Sequence, residues 1–385
     1  MPVALPPLGA ELLEPPDADE VLMLSRGVVS AVMPADGLSE LQKVLIEALF
    51  EAMTGHPAAL DAPPVGAEEF AVALARRNAV FRTRIVQNMV LVALVLRPLP
   101  RDVADRVTGF ARALSVDDGM LSVAREFAAG SLGLAAADFE RNGYTATWSV
   151  ADTAALHASV ALATPWDAAV HDEPLAAQWR ALEDLPAGTL GRRITEFYRA
   201  RGFAYPGLPG SAPPLLAQHD WVHVLADYGT TVESELEVFA LIARANDDLR
   251  AFSLLAMVIS LFETGYLRTG AGLFEYSQGH LSRHGMATRV ADAMRRGALC
   301  TGSIDFLRVD WFAIAQLPVG DARARFGLVP KAENALAAGS VGPWEPGGIS
   351  PYQARTGAAS AEAQGRLYDA YGAEVAPDTE PFPRE

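Results

Sequence analysis

The sequence predicts an all-α protein of two helical domains, the second built around a metal-binding helical hairpin. Three observations predict it. Apolar residues recur at helical spacing through most of residues 18–330, Gly and Pro interrupt the pattern at helix-length intervals, and His219, His223 and Glu235 flank one such interruption.

The bounds come first. At 385 residues the chain exceeds the usual size of one domain, so two domains with tails are expected. Half of the residues are apolar, enough for a sizeable core, and a net charge of −16 argues against nucleic-acid binding and against simple electrostatic attachment to anionic lipid. The single cysteine, Cys300, excludes an intrachain disulfide and a multi-cysteine zinc site and fits a reducing cytoplasm. Residues 1–20 lack the basic-then-apolar order of a signal peptide, and the longest apolar runs, 89–96 and 254–261, fall short of the roughly 20 residues that span a bilayer. The expectation is a cytoplasmic protein, with peripheral attachment at the inner membrane face left open.

The expected divisions are a tail at 1–17, a helical bundle at 18–140, a connector at 141–169, a second helical domain at 170–330 and a flexible Pro/Gly/Ala-rich tail at 331–385. In the first domain Leu38, Leu41, Leu45, Ala48, Leu49 and Ala52 keep helical spacing, and Thr54-Gly55-His56-Pro57 ends that helix. A second apolar segment covers 70–96 and a third 104–114.

Ala35-Asp36-Gly37-Leu38 and Asp117-Asp118-Gly119-Met120 repeat each other, each followed by an acid, Glu40 and Glu126. This duplication is similar to the tellurite-resistance TerB family, a resemblance that implies a helical bundle and makes Asp36 and Asp118 candidates for a second metal site. Asp before Gly at a helix start is first an N-cap and a turn. In the connector, a helical stretch at 150–163 cannot be placed firmly, and His157 and His171 stand alone, as structural or solvated histidines do.

In the second domain Pro213-Pro214 is suited to open the helix that carries His219 and His223. At i and i+4 these two imidazoles share one helix face. Asp220 lies close enough around the axis to be a third ligand or to orient a histidine. Glu235 could join them only if the helix stops, because twelve residues beyond His223 along a straight helix is about 18 Å. Gly229 is the expected stop, and Thr230-Thr231-Val232-Glu233 reads as a capping box in which Thr230 opens the next helix. His223 lies six residues before Gly229 and Glu235 six after, so an antiparallel hairpin brings them level. Two imidazoles and a carboxylate suit one divalent ion, with zinc, iron, manganese and magnesium not distinguished.

These residues carry a resemblance. His219-Asp220, His223 and Glu235 reproduce HDxxH followed by eleven residues and Glu, and in this the chain is similar to the coenzyme Q biosynthesis protein 4 family. Residues 185–191 with Phe197 look like its LPxGTxG segment and following helix, and Met294-Arg295-Arg296-Gly297, Trp311, Leu317-Pro318 and 323–328 look like its closing pattern. The likeness covers about 170–330, and the family's usual tyrosine in the helix after LPxGTxG is Ile194 here. The N-terminal bundle and the long C-terminal tail are additions to the family pattern.

The resemblance implies a metal-dependent role in ubiquinone-type quinone biosynthesis, at the step where a prenylated hydroxybenzoate loses its ring carboxyl and gains a hydroxyl. His219, Asp220, His223 and Glu235 are then the metal-site candidates, with Asp220 and Glu235 acting through the metal. Prenylated aromatic or isoprenoid lipids and other quinone-biosynthesis proteins are the implied partners, and a homodimer stays open. The competing readings are a non-catalytic metal-stabilised lipid or quinone scaffold and a metal-stress protein. The apolar run at 251–262 is an ordinary core helix or the wall of an isoprenoid tunnel. His280 and His284 form a second i,i+4 pair, and with Arg283, Arg289, Arg295 and Arg296 they make the most basic neighbourhood, where a ligand carboxylate or phosphate would bind. His280, His284, Arg295 and Arg296 are the substrate-binding candidates.

Overall fold

The structure is a computed structural model that describes residues 16–96, 98–117, 121, 155–158, 171–212, 214–246, 255, 256, 258, 259, 280, 281 and 283–370. Among these the chain is all-α, with 13 α-helices and no strand. In chain order they are α1 (Ala18–Val32), α2 (Glu40–Thr54), α3 (Ala67–Ala73), α4 (Ala79–Leu94), α5 (Arg101–Ala113), α6 (Glu173–Ala181), α7 (Leu190–Arg201), α8 (Pro214–Ala226), α9 (Val232–Ala245), α10 (Met286–Ala298), α11 (Val319–Phe326), α12 (Glu333–Ala337) and α13 (Pro351–Ala363). Asp118 and its Asp-Gly copy, Glu126, most of the stretch at 150–163, most of the apolar run at 251–262 and the end from 371 lie outside the described residues.

The chain divides into two compact units, Met1–Ala146 with Asp247–Arg268 and Tyr276–Ala298, and Thr147–Asn246 with Thr269–Glu275 and Leu299–Glu385. In the first, α1 is capped by Asp17, which accepts from the Glu20 amide, and α2 by a Ser39–Gln42 capping box and a left-handed Gly55. The apolar segment at 70–96 is two helices rather than one. Asn78 accepts from the Phe81 amide and starts α4 afresh, so α3 ends before it. Helix α4 is buried along nearly its whole length and packs against α1, α2 and α5.

Helix α10 also belongs to this unit, where it packs along α2, although its sequence position suggested the second domain. Val290, Ala293, Met294 and Gly297 form its buried stripe. Such a stripe shows that a helix has a core to join, and chain order does not say which one.

The second unit is built on stacked aromatics. Trp221 of α8 lies parallel to Trp311 with centroids 5.8 Å apart, and Trp179 of α6 packs on Trp221 at 5.4 Å. The segments 185–191 and 315–319 meet at the start of α7. Leu190 and Gly191 donate their amides to the Leu317 and Ala315 carbonyls at 2.8 Å, and Val319 donates to Gly188 at 3.1 Å, so first-turn donors that no helix can satisfy find partners. A Cβ on Gly191 would lie 2.6 Å from Leu185 and 2.9 Å from Ala315, which is why glycine stands there.

The expected C-terminal tail is ordered from Lys331 to residue 370 and includes α12 and α13. The short helix expected at 360–370 is instead α13, which starts at Pro351 behind a Ser350 cap and packs on α7. Its small residues read as tail composition, yet they are what allow contact. A Cβ on Gly357 would sit 2.1 Å from the Ala200 carbonyl oxygen.

Candidate metal centre

Helix α8 is buried around most of its circumference, including His219, Asp220 and His223. Gln218 fixes its rotation by donating to the carbonyls of Leu307 at 3.1 Å and Val309 at 3.0 Å. The helix ends two residues before the expected stop. Asp227 takes the left-handed conformation, φ 64°, and the Tyr228 amide donates back to the His223 carbonyl at 3.0 Å, the closing bond of a Schellman turn. Aspartate tolerates that conformation better than most residues, and the Lys331 ammonium lies 3.6 Å from its carboxylate.

Gly229 therefore serves a different purpose from the one expected. Its backbone packs on Gly348, whose carbonyl oxygen a Cβ would approach to 2.6 Å. The next helix is also capped one residue later than expected. Thr231, not Thr230, accepts from the Ser234 amide, and no Thr230–Glu233 capping box forms.

The hairpin brings the expected groups together. The Nε2 atoms of His219 and His223 lie 3.5 and 3.4 Å from the carboxylate oxygens of Glu235. One donor atom from each of the three residues lies within 4.8 Å of the others, and all three residues are buried. Both imidazoles are held from behind. His223 Nδ1–H donates to the Gly229 carbonyl at 2.7 Å and His219 Nδ1–H to the Leu216 carbonyl, so each presents Nε2 to the site. Phe197 stacks on the His223 ring at 5.6 Å and Phe239 on that of His219 at 5.2 Å.

These donors fit a metal ion. His223 Nε2 is fully buried and makes no hydrogen bond, a costly state for a polar atom that coordination relieves. A set of two nitrogens and one oxygen, oriented from outside, is the donor chemistry of a divalent ion with open positions. Asp220 stands beside the group, Oδ1 3.5 Å from His219 Nε2, while its Oδ2 accepts from the Tyr198 hydroxyl at 2.6 Å.

The electrostatics follow from burial. Burial lowers the His219 pKa, but the Asp220 and Glu235 carboxylates outweigh it and raise the value to about 9. Glu235 is pulled the other way, from burial that raises its pKa to a net value of about 2 set by the two histidines. Burial holds Asp220 above the ordinary carboxylate range against the pull of both histidines, and burial followed by Asp220 raises Tyr198 well above the phenol range.

Tyr198 is the residue that sequence reasoning missed. It lies one turn past Ile194 on α7, on the same helix face, and that spacing is the signal that could have revealed it.

The remaining candidates are not members of this group. His280 and His284 occupy a bend and a turn ahead of α10 rather than a helix; His280 is buried and His284 exposed. With Arg295 and Arg296 they belong to the first unit, where Arg295 is bonded to Asp292 at 2.7 and 2.9 Å and Arg296 is fully buried. Asp36 is exposed in the turn made by Gly37, φ 96°, and caps no helix, since Ser39 caps α2. Among the described residues His219, His223 and Glu235 are the group with metal spacing, and Asp36 is not part of one. Nothing here supports the resemblance to the TerB family. His157 pairs with Asp310 at 2.8 Å and His171 with Glu173 at 2.9 Å, the structural or solvated roles expected of them.

Fold and site together define an all-α protein with a buried two-histidine, one-carboxylate group able to hold a metal ion. No family model and no curated protein matches the chain. Among solved structures, the chain is similar to a protein of Nostoc punctiforme PCC 73102 that carries a provisional assignment to ubiquinone biosynthesis, with 19% identity over 64% of this chain and 96% of that one and a TM-score of 0.28.

Proposed function

We propose that this chain is a metal-dependent enzyme of quinone biosynthesis that acts on the ring of a prenylated hydroxybenzoate-like acid, replacing its carboxyl group with a hydroxyl in an oxidative decarboxylation that releases carbon dioxide and uses dioxygen as the two-electron oxidant. The observation that carries the metal reading is the meeting of His219 and His223 Nε2 with Glu235 at 3.5 and 3.4 Å, both rings anchored through Nδ1. The substrate class rests on the HDxxH–Glu motif and its likeness to the coenzyme Q biosynthesis protein 4 family.

His219, His223 and Glu235 would hold the ion, leaving coordination positions for substrate. Once bound, the ion supplies Lewis-acid chemistry toward a ring carboxylate or a site for oxygen. Asp220 ligates or orients, and Tyr198 holds it in place through the 2.6 Å hydrogen bond. Phe197 and Phe239 cover the imidazole faces and keep water from them.

Incubating metal-loaded protein with a prenylated hydroxybenzoic acid tests the proposal. Ring-hydroxylated product that disappears in Glu235→Ala supports it. Tight binding of the acid with no product would replace it with the reading of a lipid carrier that organises other biosynthetic proteins.

A further inference from the structure

The His223 imidazole is aimed by the turn that ends α8, chiefly by the Gly229 carbonyl with the Tyr228 carbonyl 3.3 Å from the same nitrogen, and the Gly229 peptide is held largely by residues 341–353. The Gly229 carbonyl takes the His223 Nδ1–H at 2.7 Å. On either side of it the backbone is tied to the C-terminal segment. Gly229 donates its amide to Val341 and Thr230 donates its amide to Gly348, both at 2.9 Å. The Thr230 hydroxyl donates to the Gln353 side-chain oxygen and accepts from Arg201 Nε at 2.9 Å. Arg201 is fully buried and donates onward to the Pro343 and Gly348 carbonyls at 3.2 and 3.1 Å, with its guanidinium 3.8 Å over the Phe197 ring that stacks on His223.

We infer that Gln353 and Arg201 are positioning residues of the metal centre, which through Thr230 and the Gly229 peptide set the tautomer and aim of His223, so that the C-terminal segment governs metal affinity. This rests on the metal reading above. Gln353 touches no ligand itself. It sets where the Thr230 oxygen sits, and Thr230 follows the carbonyl that orients the ring. Outer partners of this kind typically govern 10- to 100-fold of metal affinity.

The test uses the full chain and cobalt(II) as probe, reading the dissociation constant and the visible absorption of the bound ion. Gln353→Ala is expected to weaken cobalt binding about 10- to 100-fold and to shift the absorption bands. Gln353→Glu, which keeps an acceptor for Thr230, is expected to restore both. Tyr368→Phe is the control, because the Tyr368 hydroxyl ties the chain just beyond α13 to the Ala200 carbonyl at 3.1 Å, whereas the Thr230 hydroxyl bonds to Arg201, Gly348 and Gln353. It is expected to alter thermal stability while leaving cobalt affinity and spectrum unchanged. Equal affinity in Gln353→Ala and wild type, or equal loss in Gln353→Ala and Tyr368→Phe, overturns the inference alone. Failure of the wild type to bind cobalt, or binding unaffected by Glu235→Ala, overturns the metal reading and the inference together. Should Gln353→Ala not fold, Arg201→Lys serves in its place, with the same affinity loss expected and an unchanged affinity overturning the inference.

Discussion

His223 and Gly229 are joined by a 2.7 Å hydrogen bond from the imidazole Nδ1–H to the glycine carbonyl, across the turn that ends α8. The imidazole is thus oriented by the very bend that brings Glu235 opposite it. Turn geometry and site geometry are one constraint, and perturbing either is expected to perturb the other.

Glu235→Ala removes the buried carboxylate that faces both imidazoles. Metal content, measured by elemental analysis, is expected to fall from about one ion per chain to a small fraction of that, and His223→Ala is expected to do the same. Breaking a buried ion pair also costs about 3 to 5 kcal/mol, so the metal-free variant is expected to unfold at distinctly lower urea.

Tyr198→Phe deletes the hydroxyl bound to Asp220 at 2.6 Å and leaves a buried carboxylate oxygen short of a donor. A loss of about 1 to 3 kcal/mol in urea unfolding is expected, together with about tenfold weaker metal binding in a chelator-competition titration. Full affinity in this variant would mean that the Tyr198 hydroxyl does not position Asp220 for the metal site.

In the proposed metal site, protons and metal would compete for His219. Its pKa is raised from 6.5 to about 9 in the metal-free fold, so its stabilising pairing is fully present below 6.5 and is lost as pH rises through 9. Glu235 is lowered from 4.5 to about 2, so its contribution is present above 4.5 and is lost as pH falls through 2. Metal binding needs the neutral imidazole, so apparent affinity is expected to rise about tenfold per pH unit up to about pH 9 and then level off. A metal titration at stepped pH reads the slope, and a flat profile would show that His219 does not ligate.

Gly229→Ala places a Cβ 2.6 Å from the Gly348 carbonyl oxygen, and neither backbone can yield without moving the carbonyl that orients His223. A cost of about 1 to 3 kcal/mol and weaker metal binding are expected together. Thr231→Ala removes only the cap of α9, at about 1 kcal/mol, with metal affinity nearly intact. Parallel melts and titrations of the two variants separate turn geometry from helix stability.

The sequence by itself determined the helical class, the hairpin and the meeting of His219, His223 and Glu235, because those depend on short-range rules: i,i+4 spacing, a break in the helix and matched distances on either side of it. It misassigned the details of the bend, since glycine at 229 looked like a conformational requirement when it is a requirement for space against Gly348, a residue 119 positions further on. Only tertiary structure decided that Asp227 would make the turn, that Tyr198 would reach Asp220, that α10 would pack along α2, and that a small-residue segment resembling a tail would lie against α7. Each of these depends on which distant surface a residue meets, and local periodicity carries no information about that.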